Sequence, residues 1–228
     1  MSRFIHAVVG AAIPVIPEVK VRAADGVSLV GERSPVAIAA AYEAAGVGCL
    51  SVVTGRWFGG DLRLLSDVTA RCGLPVLQKD FLTREAQLIQ ARELGAAAVL
   101  LTAALLPQRV LATLVDKALV LGLTPFVEVV NEAEVSAVPH ADECVIAVNN
   151  KDIQVHERGP ADLSRSERLL PAIRATGCLA PVSASGIDHP AQAARLVRAG
   201  FVAVLVGTGL LRSPDPATWL SRLTVAPR

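Results

Sequence analysis

The chain has 228 residues, 52% hydrophobic and 19% charged, with 22 Lys+Arg against 21 Asp+Glu. That apolar content excludes a disordered chain, and the near-neutral balance excludes a general nucleic-acid binder, which needs a basic face. Aromatic residues are only 4%, so the core is expected to be Ala, Val, Leu and Ile, the usual filling of helices laid on a parallel sheet.

The first twenty residues, MSRFIHAVVGAAIPVIPEVK, hold an apolar stretch that Pro14 and Pro17 interrupt and that Glu18 and Lys20 close. No apolar run reaches the ~18 residues of a membrane helix, and the segment reads as a short lead-in helix followed by a buried strand rather than a signal peptide. Short β-branched runs then recur: strands are expected at 14–20, 49–53, 75–79, 97–102, 124–129, 144–148, 179–184 and 202–207. Their continuous apolar character suits strands covered on both faces. Helices are expected between them at 34–45, 61–70, 84–94, 107–121, 132–138, 164–175, 190–199 and 215–223. The first opens with Ser34-Pro35, an N-cap followed by proline at the first helical position; Gly46, Gly95, Gly122 and Gly200 stand just past helix ends, where a left-handed cap is usual. Cys49, Cys72, Cys144 and Cys178 are widely spaced with no CxxC, which reads as buried thiols of a reducing compartment, with no metal site expected.

Eight strands alternating with eight helices are the parts of a single α/β domain over 1–228, a (β/α)8 TIM barrel with a short N-terminal lead-in segment. The rival, a doubly wound open sheet, usually has fewer strands, and no GxGxxG follows the first strand here. Barrel chemistry sits at the C-terminal strand ends. Strand one ends with Glu18 and Lys20, two residues apart and on one side of the strand. Trp57-Phe58-Gly59-Gly60 follows strand two, Lys79-Asp80-Phe81 ends strand three, and Glu128 stands near the end of strand five. Strand six runs into Asn149-Asn150-Lys151-Asp152, strand seven into Ser185-Gly186-Ile187, and strand eight into Gly207-Thr208-Gly209. A lone lysine at a strand end is usually solvated. Lys79 and Glu128, however, follow VLQ and PFV within otherwise apolar strands, and an unpaired buried charge costs several kcal/mol. Lys20, Lys79 and Glu128 converging at one mouth make an acid–base set. The glycine loops after strands seven and eight point backbone N–H groups at an anion, unless they are only helix-entry turns.

In this order the residues resemble the indole-3-glycerol-phosphate synthase family over nearly the whole chain. The likeness rests on EVK at 18–20, LSVVT at 50–54, WFGG at 57–60, PVLQKDF at 75–81, FVEV at 126–129, VNNKD at 148–152, ASGI at 184–187 and VGTGLL at 206–211. It implies a cytoplasmic, cofactor-independent carboxy-lyase of tryptophan biosynthesis, which closes an indole ring on a carboxyphenylamino-deoxyribulose phosphate with loss of CO₂ and water. It implies Lys79 as the general acid, Glu128 as the general base or proton shuttle, and Lys20 holding the substrate carboxylate with Glu18 tuning it. Asn149 would contact substrate hydroxyls or the anthranilate. Ser185, Gly186, Gly207 and Thr208 would bind phosphate, and Phe58 and Phe81 would wall the ring. The partner is a small phosphorylated or carboxylated molecule, with no nucleic acid or membrane, and the chain is expected as a monomer or weak homo-oligomer.

The sequence departs from the family at the mouth. The loop after strand one reads Val21-Arg22-Ala23-Ala24-Asp25 in place of a basic Ser-Pro-Ser loop, and Asp25 would repel a phosphate. Lys151 replaces an arginine whose fork binds carboxylate in two-pronged fashion, and Ala184 replaces a catalytic glutamate. The family's extra N-terminal helical segment is nearly absent, which would leave the mouth less covered. Two alternatives stay open. One is a paralogue turned to a related substrate in specialised metabolism, with Lys151 as a Schiff-base nucleophile. The other is a non-catalytic barrel, against which the retained Lys20, Lys79 and Glu128 argue.

Overall fold

The structure is a computed structural model that describes residues 1–151 and 160–223. Asp152, part of the strand-six motif, lies outside the described residues. Eight parallel strands close into a barrel in sequence order: β1 (Val15–Val19), β2 (Leu50–Val53), β3 (Val76–Lys79), β4 (Ala98–Thr102), β5 (Thr124–Val129), β6 (Val145–Asn149), β7 (Ala180–Ala184) and β8 (Ala203–Val206). Each begins and ends within one or two residues of its expected place. The helices are α1 (Arg3–Val9), α2 (Pro35–Ala44), α3 (Leu62–Thr69), α4 (Glu85–Glu93), α5 (Gln108–Val120), α6 (Glu132–Ser136), α7 (Leu163–Ala175), α8 (Pro190–Ala199), α9 (Thr208–Leu211) and α10 (Pro216–Ser221). Their starts follow local chemistry. Ser34, Asp61 and Asn131 accept hydrogen bonds from the N–H groups of Ala37, Leu64 and Glu134, which satisfies donors that an open helix end leaves free.

Two departures concern the C-terminal part. The helix expected at 215–223 is the shorter α10, and a four-residue helix, α9, stands directly after β8 where only a glycine turn was expected. The lead-in helix α1 lies away from the mouth. Its Phe4, Ile5 and Val8 are buried in one cluster with Ile16, Leu77 and Phe126, so α1 plugs the N-terminal end of the barrel. Phe4 meets Phe126 edge to face, with ring centroids 6.4 Å apart.

Strand alternation sorts the apolar residues into two cores. Val15, Val19, Val52, Val76, Val99, Val127, Ile146 and Val204 face the helices, whereas Ile16, Leu77, Leu100, Phe126, Ala147, Val182 and Leu205 fill the interior. Register stacks the inward set in layers of four from alternate strands. Ala184 pairs with Leu205 and Leu205 with Ile16; Glu18 pairs with Ser51 and Ser51 with Leu77; Leu100 pairs with Phe126; Glu128 pairs with Ala147 and Ala147 with Val182. Stepping two residues along each odd strand from these partners gives one layer of Glu18, Lys79, Glu128 and Ala184, above an apolar layer of Ile16, Leu77, Phe126 and Val182. The even strands contribute the rim above it: Val53, Thr102, Asn149 and Gly207. Strands four apart face each other across an eight-stranded barrel. Lys79 therefore faces Ala184, Glu18 faces Glu128, and Thr102 faces Gly207.

Among the described residues no helix is long and apolar enough to cross a membrane. All four cysteines are free thiols; Cys49, Cys144 and Cys178 are buried and Cys72 is half-buried. Burial pushes Cys49 and Cys144 up to about 12, which leaves them as unreactive core residues.

Candidate active site

Glu18 is the hub of the charged layer. It is 2% exposed, its Oε1 lies 3.1 Å from Lys20 Nζ, and its Oε2 lies 3.5 Å from Lys79 Nζ. Burial raises the affinity of Glu18 for a proton, but the two ammonium charges and their hydrogen bonds outweigh it, and its pKa sits below the ordinary carboxylate value. One carboxylate thus holds two lysines at the mouth in place of water. Lys20 Nζ also stands 5.2 Å from the centre of the Phe58 ring, a cation–π contact that fixes the lysine from the other side.

Gly207 makes room for this hub. A Cβ built on Gly207, just after β8, would collide with Glu18 Oε1, so glycine there lets Glu18 fold against the strand end without being displaced. The sequence reading left Gly207 to phosphate or to a helix-entry turn and did not foresee this contact.

Glu128 is 2% exposed, and its Oε1 accepts a hydrogen bond from Asn149 Nδ2 at 2.8 Å. Asn149 Oδ1 in turn accepts from the backbone N–H of Lys151, and the Arg165 guanidinium donates to the carbonyls of Asn149 and Lys151. The end of β6 is therefore held from both sides. Asn150, on the outward face, does the same for β7. Its Nδ2 donates to Ser183 Oγ and the Ala184 carbonyl, while its Oδ1 accepts from Ser166 Oγ on α7. Asn150 Nδ2 also reaches the carbonyl of Ser185, which adopts a left-handed φ of 67° before Gly186 at 71°. A Cβ on Gly186 would collide with Ala161, so this turn too requires glycine. The structural role of Asn150 escaped sequence reasoning, although a polar residue facing outward at the end of an apolar strand is its signal.

A cleft of about 590 Å³ opens above these groups. Its lining brings Glu18, Lys20, Lys79, Lys151, Ser185, Gly186, Gly207 and Thr208 together, as the sequence predicted for one mouth. Glu128 and Asn149 stand at the strand ends of the same mouth and are buried beside the cleft. Phe58 is half-buried against Lys20, and Phe81 is 39% exposed. The cleft walls carry Lys20, Lys79, Lys151 and Arg212 against Glu18, Asp25 and Asp188, an excess of positive charge that suits an anionic ligand.

Arg212 was not foreseen, and it changes the reading of Asp25. The residues after β1 fold into a small loop through an isolated bridge between Arg22 and Ser28, with Asp25 accepting from the Val27 N–H. Asp25 Oδ2 then meets Arg212 Nη2 at 3.2 Å. Asp25 is thus a paired charge rather than the bare repulsive one expected. The loop itself is pinned to the next strand connection by a hydrogen bond from Arg22 N–H to the Phe58 carbonyl.

A family profile described as indole-3-glycerol phosphate synthase matches residues 4–223. The chain belongs to the indole-3-glycerol phosphate synthase family. It is 39% identical over 218 residues to indole-3-glycerol phosphate synthase 1 of Streptomyces coelicolor, covering 95% of this chain and 79% of that protein. It is 38% identical to the indole-3-glycerol phosphate synthase of Opitutus terrae, covering 92% and 79%, and 36% identical to that of Kineococcus radiotolerans, covering 94% and 77%. Within this indole-3-glycerol phosphate synthase fold, Ala184 is fully buried at the inward end of β7, a methyl group where its layer otherwise holds ionisable side chains.

Proposed function

We propose that the protein closes the indole ring of indole-3-glycerol phosphate from a carboxyphenylamino-deoxyribulose phosphate, releasing CO₂ and water. The observation that carries this reading is the buried Glu18 carboxylate bridging Lys20 and Lys79 in one layer with Glu128. Carbonyl activation needs a positioned acid, and the later dehydration needs a base and an acid in reach of one carbon chain.

Lys79 acts as the acid. Held 3.5 Å from the Glu18 carboxylate, it protonates the substrate carbonyl as the ring carbon attacks it. Lys20 holds the ring carboxylate until it leaves as CO₂. Loss of CO₂ restores the benzene ring, and Lys79 regains a proton from solvent. Lys79 then protonates the departing hydroxyl as Glu128, fixed by Asn149, takes the proton from the carbon beside the ring nitrogen, which makes the second ring aromatic. Ser185, Gly186, Gly207 and Thr208 hold the phosphate at the β7–β8 side, while Phe58 and Phe81 flank the ring. Lys151 and Arg212 add positive charge to the cleft as a compact ammonium and a guanidinium.

The test is the appearance of indole fluorescence when the protein meets the unsubstituted substrate. Formation is expected, and Lys79→Met is expected to abolish it while leaving the melting temperature close to that of the parent. Turnover that survives Lys79→Met would overturn the assignment of the acid; no indole product at any enzyme concentration would overturn the reaction.

A further inference from the structure

Two inward hydroxyls of the barrel, Ser51 Oγ and Thr102 Oγ1, are buried and have no hydrogen-bond partner among the described residues. A buried hydroxyl left unsatisfied costs ~1–3 kcal/mol, so a native chain keeps one where something else completes it. Ser51 lies beneath the charged layer, sealed from the mouth by Glu18 and Lys79. Thr102 lies above that layer, in the rim. It ends β4, it is 3% exposed, and its register partner is Glu128. The four strand positions before it, Ala98 to Leu101, are all apolar.

Position decides what Thr102 meets. In the proposed reaction the phosphate sits at Gly207 and Thr208, just after β8, and β4 lies four strands away, directly across the rim. A substrate gripped by its phosphate at β8 extends its opposite end toward β4. That end is the aromatic ring, whose carboxylate is held at β1 by Lys20 and whose faces are flanked by Phe58 after β2 and Phe81 after β3. In that pose the ring edge remote from the carboxylate lies on the β4 side, toward Thr102, which is buried beside the cleft rather than among its lining residues. A plain ring offers only C–H groups to this hydroxyl and leaves it unpaired.

We infer that Thr102 is a specificity-determining residue that selects a ring carrying a hydrogen-bonding substituent, a hydroxyl or amino group, on the edge away from the carboxylate. The inference rests on the proposed ring closure and names its substrate class more narrowly. A site built to pair a substrate hydroxyl discriminates against the analogue lacking it far more strongly than an apolar pocket discriminates by a methyl group, because the protein group is left bare.

The experiment compares kcat/KM for the unsubstituted and a ring-hydroxylated carboxyphenylamino-deoxyribulose phosphate in the parent, Thr102→Val and Thr102→Ser proteins. Valine keeps the shape and removes the hydroxyl; serine keeps the hydroxyl. Melting curves confirm that each variant is folded. The parent is expected to prefer the hydroxylated ring at least about tenfold. Thr102→Val should lose that preference, and Thr102→Ser should retain it. Equal ratios in the parent and Thr102→Val proteins would overturn the inference while leaving the ring closure standing. Turnover of neither compound would remove the ring closure itself and the inference with it.

Discussion

Glu18 couples protonation to the site and to stability. Its carboxyl is held below its ordinary value near 4.5, so the charged form contributes stability that is full above that pH and lost as pH falls through the lower folded value. Glu18→Gln should therefore show its full deficit in denaturant midpoint at neutral pH, and the deficit should shrink in acid as the parent carboxylate also loses its charge. A deficit unchanged through the acid range would remove the ion pairs from the account. Gly207 tests the same hub sterically. Alanine there collides with Glu18 Oε1 and displaces it from between Lys20 and Lys79. Small misplacement of reacting groups costs about 10²-fold, so Gly207→Ala should cut kcat by about that factor in a protein that still melts cooperatively. At this scale the sequence was informative about residue type. Charges set in apolar strands marked Lys79 and Glu128, and that same signal, a polar residue closing AVLLT, also marks Thr102. What it could not convey was pairing across 187 positions, as between Asp25 and Arg212, because such contacts depend on loop paths that no local pattern encodes.

The strands and long helices were legible because each has a local cause: β-branched apolar runs, Ser or Asp at helix starts, and glycine beyond helix ends, as at Gly200 with its φ of 118°. The short elements were not. Four residues of α9 carry too little periodicity to register, and α10 ends two residues before the expected 223, with Leu223 still buried in the core just beyond it. The lead-in helix was seen but not placed, since amphipathicity says that a face is buried and not against what. Its position supports a direct test. Phe4 is fully buried and stacked edge to face on Phe126 at the barrel floor, so Phe4→Ala should cost ~3–5 kcal/mol in denaturant unfolding. The mouth lies layers above that floor, so KM for the substrate should stay near the parent value while the fold persists. A large change in KM at unchanged stability would contradict the plug arrangement.

Across the whole molecule, closure of the barrel converts strand parity into height. Alternation alone shows that Glu18, Lys79, Glu128 and Ala184 point inward; only the register places all four at one level, with Lys79 across from Ala184 and Glu18 across from Glu128. A methyl group in that company leaves the β7 quarter of the layer without a proton-transferring group. A glutamate placed there would stand between Glu128 on β5 and Glu18 on β1, two strands away on either side. The new carboxyl would face the Lys79 ammonium across the barrel and add a second proton-transferring group to the charged layer. General acid–base groups contribute ~10²–10⁴-fold, and Ala184→Glu should raise kcat for indole formation within that range. The same substitution puts a polar group where the parent has a fully buried methyl, so the protein should melt at lower temperature even as it works faster. That opposition separates a catalytic gain from general tightening of the barrel. A folded Ala184→Glu protein with unchanged or lower kcat would show that Lys79 and Glu128 already carry every proton transfer the reaction needs.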